Sequence, residues 1–435
     1  MHTLSKVIAD IREQIILFKP LNDGHPVWRR VEGSFLLVDI KDFLQAQGSY
    51  PYFYWKERDG AQEIGALGVV HEVSVIQPGM CTGMPGGMRY FGGVCFDPQR
   101  SGAEWEEFPS SWFVLPRIEI VRSKGSIKIA VHFRDGEDQD AAIAALESLR
   151  EPFGPSAAEG MSGVREQDIP STTGWAGSVR NVLKAIRDEE VSKVVLARRT
   201  DFTLNRECVA LDVLRQLQLL TPRCFHVAVQ VSSKAGFYAA TPERLYKRSG
   251  LTIMSEAIAG TRPRGLTPQE DGLLKNELLA SAKEAREHQF VVTAIQESLK
   301  DLTGSLAIDS AAPDVVQLTG GQHLVTGITG TLKPWVCDAD ILKRLHPTPA
   351  VAGFPTARAL EQIRTLEAFS RGWYAGPVGW FGREGSEFSV AIRSGLVRGN
   401  KLSVFAGAGI VEGSDSAAEW DEVEHKISGI LKVLL

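Results

Sequence analysis

Along the first third of the chain, apolar and polar residues alternate in short runs. FLLVDI, EIGALGVV, SWFVLPRIEIV and SIKIAVHF, spread between about residues 28 and 135, read as strands separated by Gly-rich turns, most densely at 79–93. This half is predicted to form a multi-stranded sheet. The opening, MHTLSKVIADIREQIILF, is predicted to be an amphipathic surface helix, because Lys6, Asp10, Arg12 and Glu13 interrupt what would be the apolar region of a signal peptide. A stretch rich in Pro, Gly and Ser from 151 to 174 has little periodicity and is predicted to be a long connecting loop or a partly mobile segment. It divides the chain near residue 165 into a β-rich part, 1–165, and a second part, 166–435.

Beyond it, Val179, Val182, Leu183 and Ile186 recur at helical spacing, and VSKVVLA reads as a buried strand starting at Val191. A long helix is expected from about Asn276 to Leu302, then strands in YAGPVGWF, EFSVAIRSG and KLSVFAGAGI, and a last helix from about Ser416 to Leu435. Helices interleaved with many strands indicate a mixed α/β or α+β architecture.

The bulk numbers narrow the function classes. With 435 residues, 43% of them hydrophobic and 23% charged, the chain can bury a sizeable core. A net charge of -5 gives no basic surface to neutralise phosphates, so no nucleic-acid partner is expected. The five cysteines are scattered without a CxxC pair and read as reduced thiols of a cytoplasmic protein. No apolar run approaches the ~20 residues of a membrane helix.

Two helices carry the sharpest signal. In KEAREH, Glu284, Glu287 and His288 fall at i, i+3 and i+4 and share one helix face. In the last helix Glu419, Glu422 and Lys426 run beside an apolar stripe of Trp420, Val423, Ile427, Ile430 and Leu434, so these carboxylates are expected to be at least half buried. Buried like charges require a proton or a cation. Carboxylates on two helices suit magnesium, whereas zinc would want His or Cys nearby. Solvated helix faces explain the same spacing, and Ser416 with Glu419 also fits a capping box.

Two Gly-rich segments, SEAIAGTRPRG (255–265) and FAGAGIVEG (405–413), follow strand-like runs, where backbone N–H groups can face an anion or simply turn the chain. His346 lies in the proline-stiffened HPTPAVAGFP, a setting that also suits a structural histidine. Tyr374 and Arg393 are expected at strand positions, and a guanidinium there asks for an anion, either a substrate carboxylate or a structural Asp or Glu. Lys193 belongs to the buried strand, where desolvation biases a lysine toward the neutral form a general base needs, or else its stem snorkels to the sheet edge. Glu243, in TPERL, is a second buried-looking group whose alternative is a salt bridge to Arg244 or Arg248.

SKVVLAR, TPERL, IAGTRPRG, KEAREH, HPTPAVAGFP, RGWYAGPVGW, VAIRSG, AGAGIVEGSD and EWDEVEHK occur together in this order, and from about 175 to 432 the chain resembles the chorismate-utilising enzymes. YPYFYWKERDG at 50–60 looks more specifically like the isochorismate synthases of menaquinone synthesis. The resemblance implies two large β-sheets packed as a sandwich flanked by helices, with 1–165 a subregion of the same fold and 166–435 the chorismate-binding region. It implies isochorismate synthase activity dependent on Mg²⁺, with Glu287 and Glu422 as the principal ligands and Glu284 and Glu419 holding waters of the ion. It implies Lys193 as the base that activates water for attack at C2, and Glu243 as the acid that protonates the departing C4 hydroxyl. Arg393 and Tyr374, with Gly409 and Lys426, would bind the enolpyruvyl carboxylate; Gly260 and Thr261 the ring carboxylate; His346 and Ala350 the ring. Chorismate is then the expected partner, and the chain itself a monomer or weak homodimer. A salicylate synthase, which goes on to eliminate pyruvate, would use the same residues, and a non-catalytic ligand-binding relative is the reading from another class.

Overall fold

The computed structural model describes residues 3–18, 27–36, 39–135, 138–152, 160–310, 312–318, 321–432 and 434. Its strands form two antiparallel sheets, one of 12 strands and one of 10 among the described residues. Aromatic side chains fill the space between them: Phe53 of the first sheet lies 6.1 Å from Phe91 of the second, and Phe237 lies 6.0 Å from Trp373. Helices flank the sheets, beginning with Leu4–Leu17, which buries Leu4, Val7, Ile11 and Ile15. Among the described residues no helix is long and apolar enough to cross a membrane.

Strands from both sides of residue 165 share both sheets. Tyr52–Lys56 pairs with Phe225–Gln230 in one, and Arg89–Val94 pairs with Pro377–Gly382 in the other. The 151–174 segment is only partly a loop: 153–159 lie outside the described residues, but Gly163–Ile169 is a strand against Lys193–Leu204, and a helix starts at Thr172. Arg165, Asp168 and Thr200 hold that strand with polar bonds in place of an apolar period.

Several boundaries differ from those the periodicity suggested. FLLVDI is not one strand; Trp28–Ser34 ends before it, 37–38 lie outside the described residues, and Asp39 caps a helix over Ile40–Gln47. Within 79–93 the Gly-rich run becomes the strand Arg89–Val94, where a side chain at Gly92 would strike the Trp112 carbonyl oxygen at 1.8 Å. The expected long helix is two, Pro268–Ala280 and Ala282–Lys300, broken at Ser281, whose backbone is extended and whose hydroxyl accepts from the Glu284 N–H. The last helix, Ser416–Leu431, is capped by Asp415, which accepts from the N–H groups of Ala417 and Ala418. Ser416 is therefore its first residue and no capping box with Glu419 forms. A carboxylate suits the positive helix end at least as well as a hydroxyl.

Both Gly-rich segments are mostly strand, ending at Arg262 and Ile410, with a turn at 412–413. Thr252–Arg262 continues through a bulge at Gly260, whose φ is 77°, and Lys401–Ile410 runs through Gly407 and Gly409. EFSVAIRSG is split between the sheets: Gly385–Val390 belongs to the second, Ser394–Arg398 to the first, and the chain crosses at 391–393. Arg393 sits at that crossing with φ 50°, and Tyr374 lies in the turn before Pro377–Gly382, so neither is at a strand position.

Candidate active site

The crossing at 391–393, the bulge at Gly260 and the edge of the 12-stranded sheet enclose a cavity of about 170 Å³. It gathers Lys193, Glu243, Gly260, Thr261, Glu287, Ala350, Tyr374, Arg393, Gly409, Glu422 and Lys426 of the expected set. A larger hollow of about 600 Å³ beside Cys81 and Cys337 holds none of them.

One wall follows from strand register. Lys193–Leu204 runs antiparallel to Lys401–Ile410 with Val195 opposite Gly409 and Ala197 opposite Gly407, and alternation turns Lys193 and Val195 to the same face. Lys193 is 6% exposed and its Nζ donates to Glu287 Oε1 at 2.5 Å. Gly409 makes room for it, since a β-carbon there would lie 2.7 Å from Lys193 Cε.

Glu243 enters from the opposite side, two residues after the strand Ala235–Thr241. Its N–H donates to Thr241 Oγ1 at 3.2 Å, and its carbonyl accepts from the Val390 N–H at 3.0 Å. Neither neighbouring arginine pairs with its carboxyl: Arg244 binds Glu256 and Glu387, and Arg248 binds Asp338. Burial, with a further push from the Glu256 charge and against the pull of Lys193, raises its pKa to about 7. A carboxyl so placed holds a proton near neutral pH and can give it up.

The four helix glutamates separate into two tiers. Glu287 and Glu422 line the cavity. Glu284 and Glu419 stand one turn behind on their helices and are not among its lining residues. Arg262 donates to Glu284 Oε1 at 2.8 Å and the Thr261 N–H to its Oε2 at 3.3 Å. Glu419 accepts from the Ser414 hydroxyl at 2.8 Å, and burial, together with the neighbouring Glu422 charge, raises its pKa. The expected half-burial is only just met at Glu422, whose side chain is 46% exposed and bonded to Lys426 at 2.7 Å, because its helix turns Val423 and Ile427 inward and Glu422 to the cavity mouth. Among the described residues no three His, Cys, Asp or Glu side chains gather as a metal cluster. Carboxylates from two helices in a cavity wall without cysteine would suit a hard cation that completes its shell with waters and substrate oxygens, as magnesium does.

The remaining wall is basic and aromatic. Arg393 reaches the Cys224 thiol and, among the described residues, pairs with no carboxylate. Tyr374 stacks on Phe405 with centroids 5.4 Å apart, and a side chain at Gly407 would lie 3.0 Å from its hydroxyl. Lys426 Nζ also donates to the Gly407 carbonyl at 2.9 Å. His346 is not in this wall: its ring turns away to the Phe96 carbonyl at 3.1 Å. The histidine that does line the cavity is His323, which the sequence reading passed over. It lies on Gly321–Leu332 opposite Thr261, with Nδ1 3.1 Å from Thr261 Oγ1 and Nε2 without a partner among the described residues. Burial and the charges of Arg393 and Lys426 lower its pKa to about 3, so the ring is neutral. Only strand pairing reveals it, because a lone histidine in an alternating run carries no signal of which face meets a cavity.

Residues 22–435 match the family of chorismate binding enzymes. The isochorismate synthase MenF of Escherichia coli strain K12 is 32% identical over 423 residues, covering 94% of both chains, and that of Pasteurella multocida is 31% identical over 444 residues, covering 100% of this chain and 99% of its own. The solved structure of MenF, the menaquinone-specific isochorismate synthase from Escherichia coli, superposes with a TM-score of 0.90 at 29% identity, covering 100% of both chains. With that match, the two-sheet sandwich and the cavity between its sheets, the chain belongs to the chorismate-binding enzyme family.

Proposed function

We propose that this chain is an isochorismate synthase of the menaquinone type, an isomerase that moves a hydroxyl of chorismate from C4 to C2. The observation that carries the reading is one cavity with a lysine amine on one wall and a carboxyl that holds its proton to about pH 7 on another. Lys193 takes a proton from the water that attacks C2. Both ring double bonds shift by one position, the C4–O bond breaks, and Glu243 gives its proton to the departing oxygen, so one water enters and one leaves. Arg393 and Lys426 supply cationic partners for the substrate carboxylates, and Tyr374 a hydroxyl; a bidentate guanidinium fixes a carboxylate's plane as well as its place.

Glu287 and Glu422 would hold magnesium, with Glu284 and Glu419 behind them bonding waters of the ion. When bound, magnesium supplies positive charge at the substrate's ring carboxylate. Glu287 would then be shared between the ion and the Lys193 amine. The full-length relatives of this activity support the assignment. Chromatography of products from purified enzyme, chorismate and Mg²⁺ tests it. Isochorismate without free pyruvate is the expected result, whereas salicylate and pyruvate in equal amounts would make the chain a salicylate synthase.

A further inference from the structure

The peptide that carries Glu243 is held by a residue from the far end of the chain. The turn 57–60, after the strand Tyr52–Lys56, brings Arg58 beside Phe225, with its guanidinium 5.6 Å from the ring centre. Arg58 Nη1 donates to the Pro242 carbonyl at 2.9 Å and to Glu256 Oε2 at 2.8 Å, and Nη2 donates to Glu256 Oε1 at 2.8 Å. The fork is 16% exposed and Glu256 is buried. Arg244 also binds Glu256, from the strand Arg244–Ser249. The ionisable groups that act on Glu243 from the elements around it are Lys193, Glu256 and Tyr374. Glu256 is the negative one, and Arg58 and Arg244 neutralise it.

We propose that Arg58 is a positioning residue for the acid step: it fixes the Pro242–Glu243 peptide and compensates the Glu256 charge that faces the Glu243 carboxyl. The inference rests on the reading of Glu243 as proton donor. Its geometry requires arginine, because one planar fork must span both oxygens of a carboxylate and a carbonyl together, which a lysine's single nitrogen cannot do. It also gives the N-terminal part a role in the chemistry, beyond its strands in the sheets.

The test is the pH dependence of kcat/KM in the full-length enzyme with chorismate and Mg²⁺, for Arg58→Met, Arg58→Lys and Glu256→Gln. The limb that falls at alkaline pH reports loss of the Glu243 proton. Arg58→Met leaves Glu256 less compensated and is expected to move that limb up by about half a pH unit or more, with kcat/KM down at least ~10-fold from the loosened peptide. Glu256→Gln removes the repelling charge and moves the limb down. Arg58→Lys keeps the charge but not the fork, so it holds the limb near the parent's while losing rate. Limbs that stay put in both charge-changing variants, or move the same way, overturn the proposal. If Arg58→Met does not fold, Arg58→Lys and Glu256→Gln decide it. Glu243→Gln is the control: if it turns over like the parent, the reading of Glu243 fails first, whereas an inactive Glu243→Gln beside unmoved limbs faults Arg58 alone.

Discussion

Gly409→Ala tests whether the Lys193 amine must stand where the structure puts it. A β-carbon at 409 would sit 2.7 Å from Lys193 Cε, 3.3 Å from Nζ and 3.8 Å from Glu287 Oε1, where ordinary contact starts at 3.4 Å. The backbone φ at 409 is not in the left-handed region, so alanine adds crowding and no dihedral strain. The atom struck is near the end of a flexible stem, so the lysine swings away before the strands part. Overpacking of this kind typically costs about 1–3 kcal/mol of stability. Displacing a reacting group by about 1 Å costs on the order of 10²-fold in rate, or roughly 2.7 kcal/mol of barrier. The expected result is a fall of that size in kcat/KM for chorismate, measured by initial rates at saturating Mg²⁺, with thermal unfolding shifted by only a few degrees. Trimming the lysine removes the clash, so Gly409→Ala should add nothing to Lys193→Ala, a coupling that a double-mutant cycle reads directly. Two outcomes would refute the reasoning: kcat/KM within about threefold of the parent, or losses that simply add in the double variant.

Glu243 links catalysis to stability with opposite signs. Its folded pKa of about 7 lies above its ordinary 4.5, so the folded protein keeps a proton that the unfolded chain releases. Stability therefore falls as pH rises from about 4.5 to about 7 and then levels, by up to roughly 3 kcal/mol at ~1.36 kcal/mol per unit. Glu243→Gln should be the more stable protein at pH 8 and lose that advantage below about pH 4.5, while its turnover drops ~10²–10⁴-fold; denaturant titrations at the two pH values check the sign. Chelation with EDTA should stop turnover, and Mg²⁺ should restore it in the parent but not in Glu287→Ala; full activity in chelator would remove the metal from the mechanism. Arg393→Ala, which takes away a guanidinium that has no carboxylate partner among the described residues, should raise KM for chorismate by roughly 10²-fold with little change in Tm, as saturation kinetics would reveal.

The sequence alone determined what depends on neighbours a few residues apart. A helix repeats every 3.6 residues, so Glu284 and Glu287 had to share a face, and so did Glu419 and Glu422; alternation put Lys193 on the buried strand that the structure confirms. The order of motifs likewise carried the family and its two-sheet fold. Only the tertiary structure decided what depends on pairing between distant segments. It turned Arg393 into the residue at a crossing between sheets, made the Gly260 turn a bulge, and left Glu422 at the mouth of the cavity. It sent His346 to the Phe96 carbonyl and brought His323 opposite Thr261, and it set Arg58 against the Pro242 carbonyl across 184 positions. Local spacing fixes which side chains share a face, but which face meets a cavity is set by strand register and sheet packing, and those depend on contacts that no short window of sequence contains.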